Sequence, residues 1–170
     1  MKKGLIFLMA VSMPFITQGK PLEMNGKATR TVYGVKVYDV SLWLTSKTSD
    51  ADYIMNTCRN KKSIRIAMLR KVSAEKFNST IEKNITTNLT QREQQQYSVE
   101  LEEFLDCFGD GSSLVRGDSI VIDYIPGEGT QVKINEREIS KIQGDEFYHI
   151  LLRLWIGNPL QESIKQGLLG

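Results

Sequence analysis

The chain is poor in the side chains on which metal, redox and nucleophilic chemistry depend. Its 170 residues include one histidine, His149, and two cysteines, Cys58 and Cys107. No Cys-x-x-Cys pair occurs, so the ligand count falls short of a structural zinc site. A single His among Arg and core residues cannot complete a Ser-His-Asp relay. Charge of one sign is also missing in any useful excess, with 22 Lys and Arg against 20 Asp and Glu. That balance argues against nucleic acid as a partner, because neutralising phosphates needs clustered cations. The one basic cluster, Arg59 to Lys62, is short and reads as a solvated loop. There is no internal repeat, no low-complexity stretch and no phosphate loop: Gly127 and Gly129 join two strands, and no helix N-terminus follows them. The longest apolar run, Gly4 to Ile16, is about 13 residues, short of the roughly 20 that cross a bilayer as a helix.

That run has another use. Lys2 and Lys3 precede it, and Thr17-Gln18-Gly19 offers small residues after it, the three parts of an export signal. Cleavage is expected after Gly19, with no membrane span afterwards and a periplasmic or secreted location. Removing residues 1–19 takes away two lysines and no acid, so the remaining chain has twenty basic and twenty acidic residues. About 150 residues suit one domain with a real core. Export would place the chain where disulfides persist, which makes Cys58 and Cys107 a possible pair. Cys107 equally fits a buried helix position.

The expected elements follow from periodicity and punctuation. Lys27 to Thr31 is extended, Val32-Tyr33-Gly34 bends the chain, and Val35 to Leu44 is a strand. Asp50 to Asn56 is a helical turn, and Ser63 to Val72 alternates as a strand. Ser73 caps a helix whose Phe77, Ile81, Ile85 and Leu89 make one apolar stripe. A second helix opens at Thr90 with a Glu93 capping box and ends at Gly109 to Gly111. Its buried face carries Tyr97, Leu101, Phe104, Leu105 and Phe108. Three strands form a meander: Ser119 to Ile125, Thr130 to Ile134 and Arg137 to Ile142. Asp145 is expected to cap a long helix that stops at Gly157 and Pro159, and Leu160 to Leu169 is a last short helix. Trp43 and Trp155 read as core. Strands, helices, strands and helices in that order predict an α+β fold, an antiparallel sheet with a helical layer on one face.

Several motifs then carry a resemblance. They are Asn25-Gly26-x-x-x-Arg30, Val35-Lys36-Val37-Tyr38, Ser41-Leu42-Trp43-Leu44, Leu69 to Lys76, Gly117-Asp118-x-Ile120 and Tyr124-x-Pro126-Gly127-x-Gly129-Thr130. Gly144-Asp145-x-Phe147-Tyr148, Leu152 to Gly157 and the closing Leu168-Leu169-Gly170 complete the series. In this order, over about residues 20–170, the sequence resembles the bacterial chalcone isomerase-like proteins. The resemblance implies a large antiparallel sheet, an open-faced sandwich with helices, and an apolar cleft between the two. The family holds enzymes that close a flavanone ring and relatives that bind fatty acids without catalysis, so the fold alone does not choose.

Residue by residue, Arg30 matches the family's Arg, which in the enzymes steadies a developing oxyanion. Tyr38 stands where the enzymes have Thr and where the fatty-acid binders have Tyr to hold a carboxylate with that Arg. Strand geometry agrees independently: on one straight strand the two would lie about 26 Å apart, but reversal at Gly34 makes them a cross-strand pair. An Arg fork with a phenol suits a carboxylate. The other catalytic positions depart from the enzymes: Val72 or Ser73 replaces a Tyr, Thr80 an Asn, and Leu154 a Thr. Asn84 lies one turn beyond Thr80, and Thr80, Asn84 and Asn88 trace a polar row that is either a helix flank or a wall of the cleft. No residue is assigned a catalytic role and no cofactor is expected. The leading expectation is an exported, monomeric, non-catalytic binder of a fatty acid or similar small apolar carboxylate, with Arg30, Tyr38, Thr80 and Asn84 as ligand contacts. The alternatives are a lyase or isomerase using an Arg-stabilised enolate, and a structural or partner-binding protein whose cleft is filled.

Overall fold

The computed structural model describes residues 19–109 and 111–170. The expected export signal, except for Gly19 at its end, lies outside them. Six strands form one fully antiparallel sheet in the order β1-β2-β3-β6-β7-β8. They are β1 (Glu23–Val32), β2 (Val35–Leu44), β3 (Lys62–Met68), β6 (Ser119–Ile125), β7 (Gly129–Ile134) and β8 (Arg137–Ile142). A short ribbon of β4 (Val72–Ser73) and β5 (Ser113–Leu114) stands apart. The helices are α1 (Ala51–Asn56), α2 (Ala74–Asn88), α3 (Gln91–Gln96), α4 (Ser98–Asp106), α5 (Asp145–Ile156) and α6 (Glu162–Leu169).

The core sits between one face of the sheet and the helices. Strand β6 shows why: Ile120, Ile122 and Tyr124 are buried, while Val121 and Asp123 between them are half-exposed. This is the period-2 pattern of a sheet covered on one side. Helix α2 buries Phe77, Ile81 and Ile85, and Leu89 at its end completes the stripe. Its N-cap is Ser73, whose hydroxyl accepts from the Lys76 N–H at 3.2 Å. Among the described residues no helix is long and apolar enough to cross a membrane.

Four local expectations are corrected. The helix from Thr90 is two helices, broken at Tyr97, which leaves helical dihedrals (φ −107°, ψ 23°). Gly144, not Asp145, precedes α5, and the Asp145 carboxylate instead accepts from the Gly127 N–H at 2.9 Å and ties α5 to the β6–β7 turn. Trp43 is half-buried on the open face, where the Arg65 guanidinium stacks 4.0 Å from its ring centre. Lys62 is not in a solvated loop but is only 3% exposed as the first residue of β3.

One close approach fixes the edge of the sheet. A Cβ on Gly26 would lie 2.2 Å from the Gly167 carbonyl oxygen, and one on Gly167 would lie 2.5 Å from that of Lys27. Both glycines are needed for α6 to lie on β1. Asn25, the extra residue of a β-bulge, donates to the Leu168 carbonyl at 2.8 Å and accepts from the Thr48 N–H at 2.9 Å. The Asn25-Gly26 motif is thus a docking seat for the C-terminal helix.

Candidate functional site

The β1–β2 hairpin turns at Tyr33-Gly34, both with positive φ (49° and 76°), between the paired Val32 and Val35. This two-residue turn pairs Val32 with Val35 and Thr31 with Lys36, and a bulge at Val37 then places Arg30 directly opposite Tyr38. Beside that pair opens a cleft of about 350 Å³. One wall is the hairpin, from Arg30 to Tyr38. The other is the segment from Arg70 to Ser73 and the first two turns of α2, with Lys76, Phe77 and Thr80. Its surface is mostly apolar, from Val32, Val35, Val37, Val72 and Phe77.

Its charge is of one sign. Arg30, Arg70, Lys71 and Lys76 line it, and no carboxylate does. Among the described residues the ion pairs are Lys133–Asp123, Lys141–Glu128 and Arg153–Glu93, so none of the four cleft cations has an acidic partner there. Cations left without counter-ions beside apolar surface favour an anionic, amphiphilic occupant.

Arg30 is held by one end only. Its Nη1 donates to Gln161 Oε1 at 3.1 Å and, more weakly, to the Thr31 carbonyl at 3.4 Å. Nη2 and Nε have no partner among the described residues, leaving donors of the guanidinium fork available. The reason for the Gln161 contact lies in the backbone. The pairing skips Val37, since Arg30 faces Tyr38 and Thr31 faces Lys36, and β1 is the edge strand, so the outward backbone groups of Thr29 and Thr31 have no neighbouring strand. Gln161, just before α6, caps that edge: its oxygen accepts from the Thr31 N–H at 2.9 Å and its amide donates to the Thr29 carbonyl at 3.0 Å. The same oxygen then steadies Arg30.

Tyr38 is half-buried, with its ring 6.5 Å from Phe77. Burial pushes its phenol up, while the Arg30 charge and the Trp155 indole act in the opposite direction. It is therefore a neutral donor at ordinary pH. Trp155 is core, as expected, at 6% exposure. Together Arg30 and Tyr38 offer donors, and no imidazole or carboxylate lines the cleft to take a proton.

Three of the four expected ligand contacts meet here: Arg30, Tyr38 and Thr80. Asn84 does not. Its amide donates to the Leu154 carbonyl at 2.7 Å, and Asn88 clamps Asn158 through its amide (2.9 Å) and its oxygen (2.7 Å). These two asparagines bind α2 to the end of α5. Thr80 lines the cleft but its hydroxyl donates back to the Lys76 carbonyl at 2.9 Å. Sequence reasoning missed Gln161, Arg70, Lys71 and Lys76. The run Arg70-Lys71 with Lys76 was visible as charge, but nothing local says that it faces Arg30.

The cysteines are unpaired. Cys58 is exposed, whereas Cys107 is buried at the end of α4, with its thiol pushed up to about 11, mainly by burial. The expected Cys58–Cys107 disulfide is therefore not present. Cys58 lies instead near a polar cluster away from the cleft. His149 Nδ1 is 2.8 Å from the Asp145 carbonyl, and Nε2 lies 2.9 Å from Lys62 Nζ and 3.0 Å from the Thr57 carbonyl. Burial pulls the Lys62 ammonium down to about 8, and burial followed by the Lys62 charge pulls His149 down. Among the described residues no group of three or more His, Cys, Asp or Glu could hold a metal.

Comparison with curated protein sequences finds no match. Among solved structures, the crystal structure of a fatty-acid binding protein of Arabidopsis thaliana shares the fold, with a TM-score of 0.72 at 16% identity over 89% of this chain and 88% of that one. A family model described as chalcone isomerase-like matches residues 9–170. The motifs from Asn25 to Gly170, the six-stranded sheet with its helical layer and this match agree, and the chain belongs to the chalcone isomerase-like family.

Proposed function

We propose that this protein is a non-catalytic carrier or receptor for a fatty acid or similar apolar carboxylate. One observation carries the reading: the half-tethered Arg30 guanidinium faces the Tyr38 phenol in an apolar cleft lined by four cations and no acid. A carboxylate accepts from both donors while its chain lies against Val37, Val72 and Phe77. The volume of about 350 Å³ falls at the small end of ligand pockets, suiting a single acyl chain. The fold shared with a plant fatty-acid binding protein supports the same reading. Without a carboxylate or imidazole in the cleft, no group stands ready for general-base work, which weighs against the isomerase alternative.

Native mass spectrometry of the purified protein tests this, together with titration of a fluorescent fatty acid. A co-purified acid, or saturable one-to-one binding that an unlabelled fatty acid displaces, is the expected result. No binding of either kind would sink the proposal. We further propose that the protein is exported, on the strength of Lys2, Lys3, the apolar run to Ile16 and the small residues ending at Gly19. The mature protein should then begin at Lys20, and an intact mass that retains Met1 would refute this.

A further inference from the structure

The turn of the β1–β2 hairpin breaks two rules at once. Both of its central residues have positive φ, the geometry for which Asn-Gly or Gly-Gly is preferred. Position 33 carries a tyrosine instead, and a bulky side chain at φ 49° is a conformational outlier. That tyrosine is also fully exposed, at 101% of its reference area. Val35, on the other side of the turn, is 46% exposed. A residue that costs stability through its backbone and leaves its ring in water calls for a role outside the fold.

The surroundings supply one. Pairing places the end of the sheet at Val37, whose carbonyl accepts from the Leu69 N–H, and at Gly117, whose N–H donates to the Met68 carbonyl. The hairpin tip reaches about 10–13 Å past that level, three to four residues at strand rise. Around its base stand exposed Arg70, Lys71 and Arg116, with Lys36 on the hairpin itself. Val115, 44% exposed, lies beside Arg116. Of the acids at this end, Asp118 is engaged by the Val115 N–H and the Asn135 amide, Glu75 stands in the first turn of α2, and exposed Glu136 occupies the β7–β8 turn on the far side of Asp118 from the hairpin.

We infer that this end of the molecule docks on an anionic lipid bilayer, with Tyr33 and Val35 entering the interface and the basic ring at headgroup level. Tyrosine is the residue type that settles where one end is apolar and the other wet. A tip of this length is enough to carry Tyr33 to the roughly 5–10 Å at which interfacial elements sit while the sheet stays in water. The cations around it complement a negatively charged leaflet. Because Tyr33 also borders the cleft, docking would turn the cleft mouth toward the membrane from which an amphiphile leaves or enters. This goes beyond the reading of the cleft and has its own readout.

Co-sedimentation with vesicles of phosphatidylcholine alone, and of phosphatidylcholine mixed with phosphatidylglycerol, tests it. The wild type should bind the mixed vesicles, bind the neutral ones far less, and be released as salt is raised. Tyr33→Asn keeps a residue suited to the turn, so its loss of vesicle binding would not reflect a broken hairpin. The double variant Lys36→Glu/Arg116→Glu lies outside the cleft lining. It should lose roughly tenfold or more in partitioning, since each cation near such a surface is worth about fivefold. It should still bind a fluorescent fatty acid in solution like the wild type. Equal partitioning of wild type and double variant, or no wild-type binding to the mixed vesicles, would overturn the inference. So would a double variant that loses both activities, because the effect would then belong to the cleft. Vesicle binding by a wild type that takes up no free acid would support docking while removing the cleft proposal.

Discussion

Replacing Arg30 is the perturbation that separates the possible roles of the cleft. If a bound carboxylate accepts from the guanidinium and from Tyr38, Arg30→Ala removes the charged donor and leaves the anion without its counter-charge. Truncating one partner of a buried, hydrogen-bonded charge pair costs about 2–5 kcal/mol. Arg30 is half-buried, and Arg70, Lys71 and Lys76 remain nearby to screen the loss, so the low end applies. We expect about 2–3 kcal/mol, a rise in Kd of roughly 30- to 150-fold. Arg30→Lys should recover only part of this, because an ammonium cannot reach Gln161 and the carboxylate with one planar fork. Tyr38→Phe removes a single neutral donor and should cost about 1 kcal/mol, near fivefold. Gln161→Leu should act differently: it strands the Thr31 N–H, lowering stability by about 1–2 kcal/mol, while leaving the Arg30 charge in place. The assay is titration of a fluorescent fatty acid, with thermal unfolding measured in parallel. Equal affinity in wild type and Arg30→Ala would refute the reasoning. Unfolding of Arg30→Ala would show instead that the residue holds the hairpin against α6, and that the inherited site is structural.

Other consequences follow from the rest of the molecule. Between pH 8 and about 10.4 the unfolded chain should hold the Lys62 proton while the folded chain does not, so stability should rise with pH across that window. A gain of about 1–2 kcal/mol, a few degrees in Tm, is expected in the difference between wild type and Lys62→Met, and a flat difference would contradict the buried ammonium. Cys58 should react with a maleimide in the native protein while Cys107 reacts only on unfolding; equal rates, or no free thiol at all, would contradict the observed arrangement. Gly26→Ala should destabilise by about 2 kcal/mol or more in chemical denaturation, because the new methyl meets the α6 backbone and not a movable side chain, and an unchanged midpoint would show that α6 is not docked on β1.

How far these features were legible depends on the sequence distance over which they are decided. The facing of Arg30 and Tyr38 could be read in outline because one glycine turn puts them on neighbouring strands, but the turn alone would set Arg30 against Val37, and the bulge at Val37 that sets it against Tyr38 has no mark in the sequence. The Ser73 cap, the Phe77–Leu89 stripe and the period of β6 are equally local. Asn84 shows where local reading stops. It shares a helix face with Thr80, but four residues of rise carry it about 6 Å along α2, away from the cleft and under the Leu154 carbonyl. Lys62 sits in a basic run that composition assigns to solvent, and only the arrival of α5, with His149 87 residues away in sequence, buries it. Gln161 is further removed, 131 residues from Arg30. Its place is nonetheless a consequence of something visible. Because β1 is the edge of the sheet, the outward Thr31 N–H has no strand partner, and an N–H under α6 must be satisfied by something. The helix that the two glycines seat on β1 brings Gln161 to that spot. The position of the ligand-facing arginine therefore depends on how the edge strand is capped. A substitution at Gly26 or Gly167 that shifts α6 should accordingly disturb Arg30 and weaken fatty-acid binding in the same titration, although neither glycine lines the cleft.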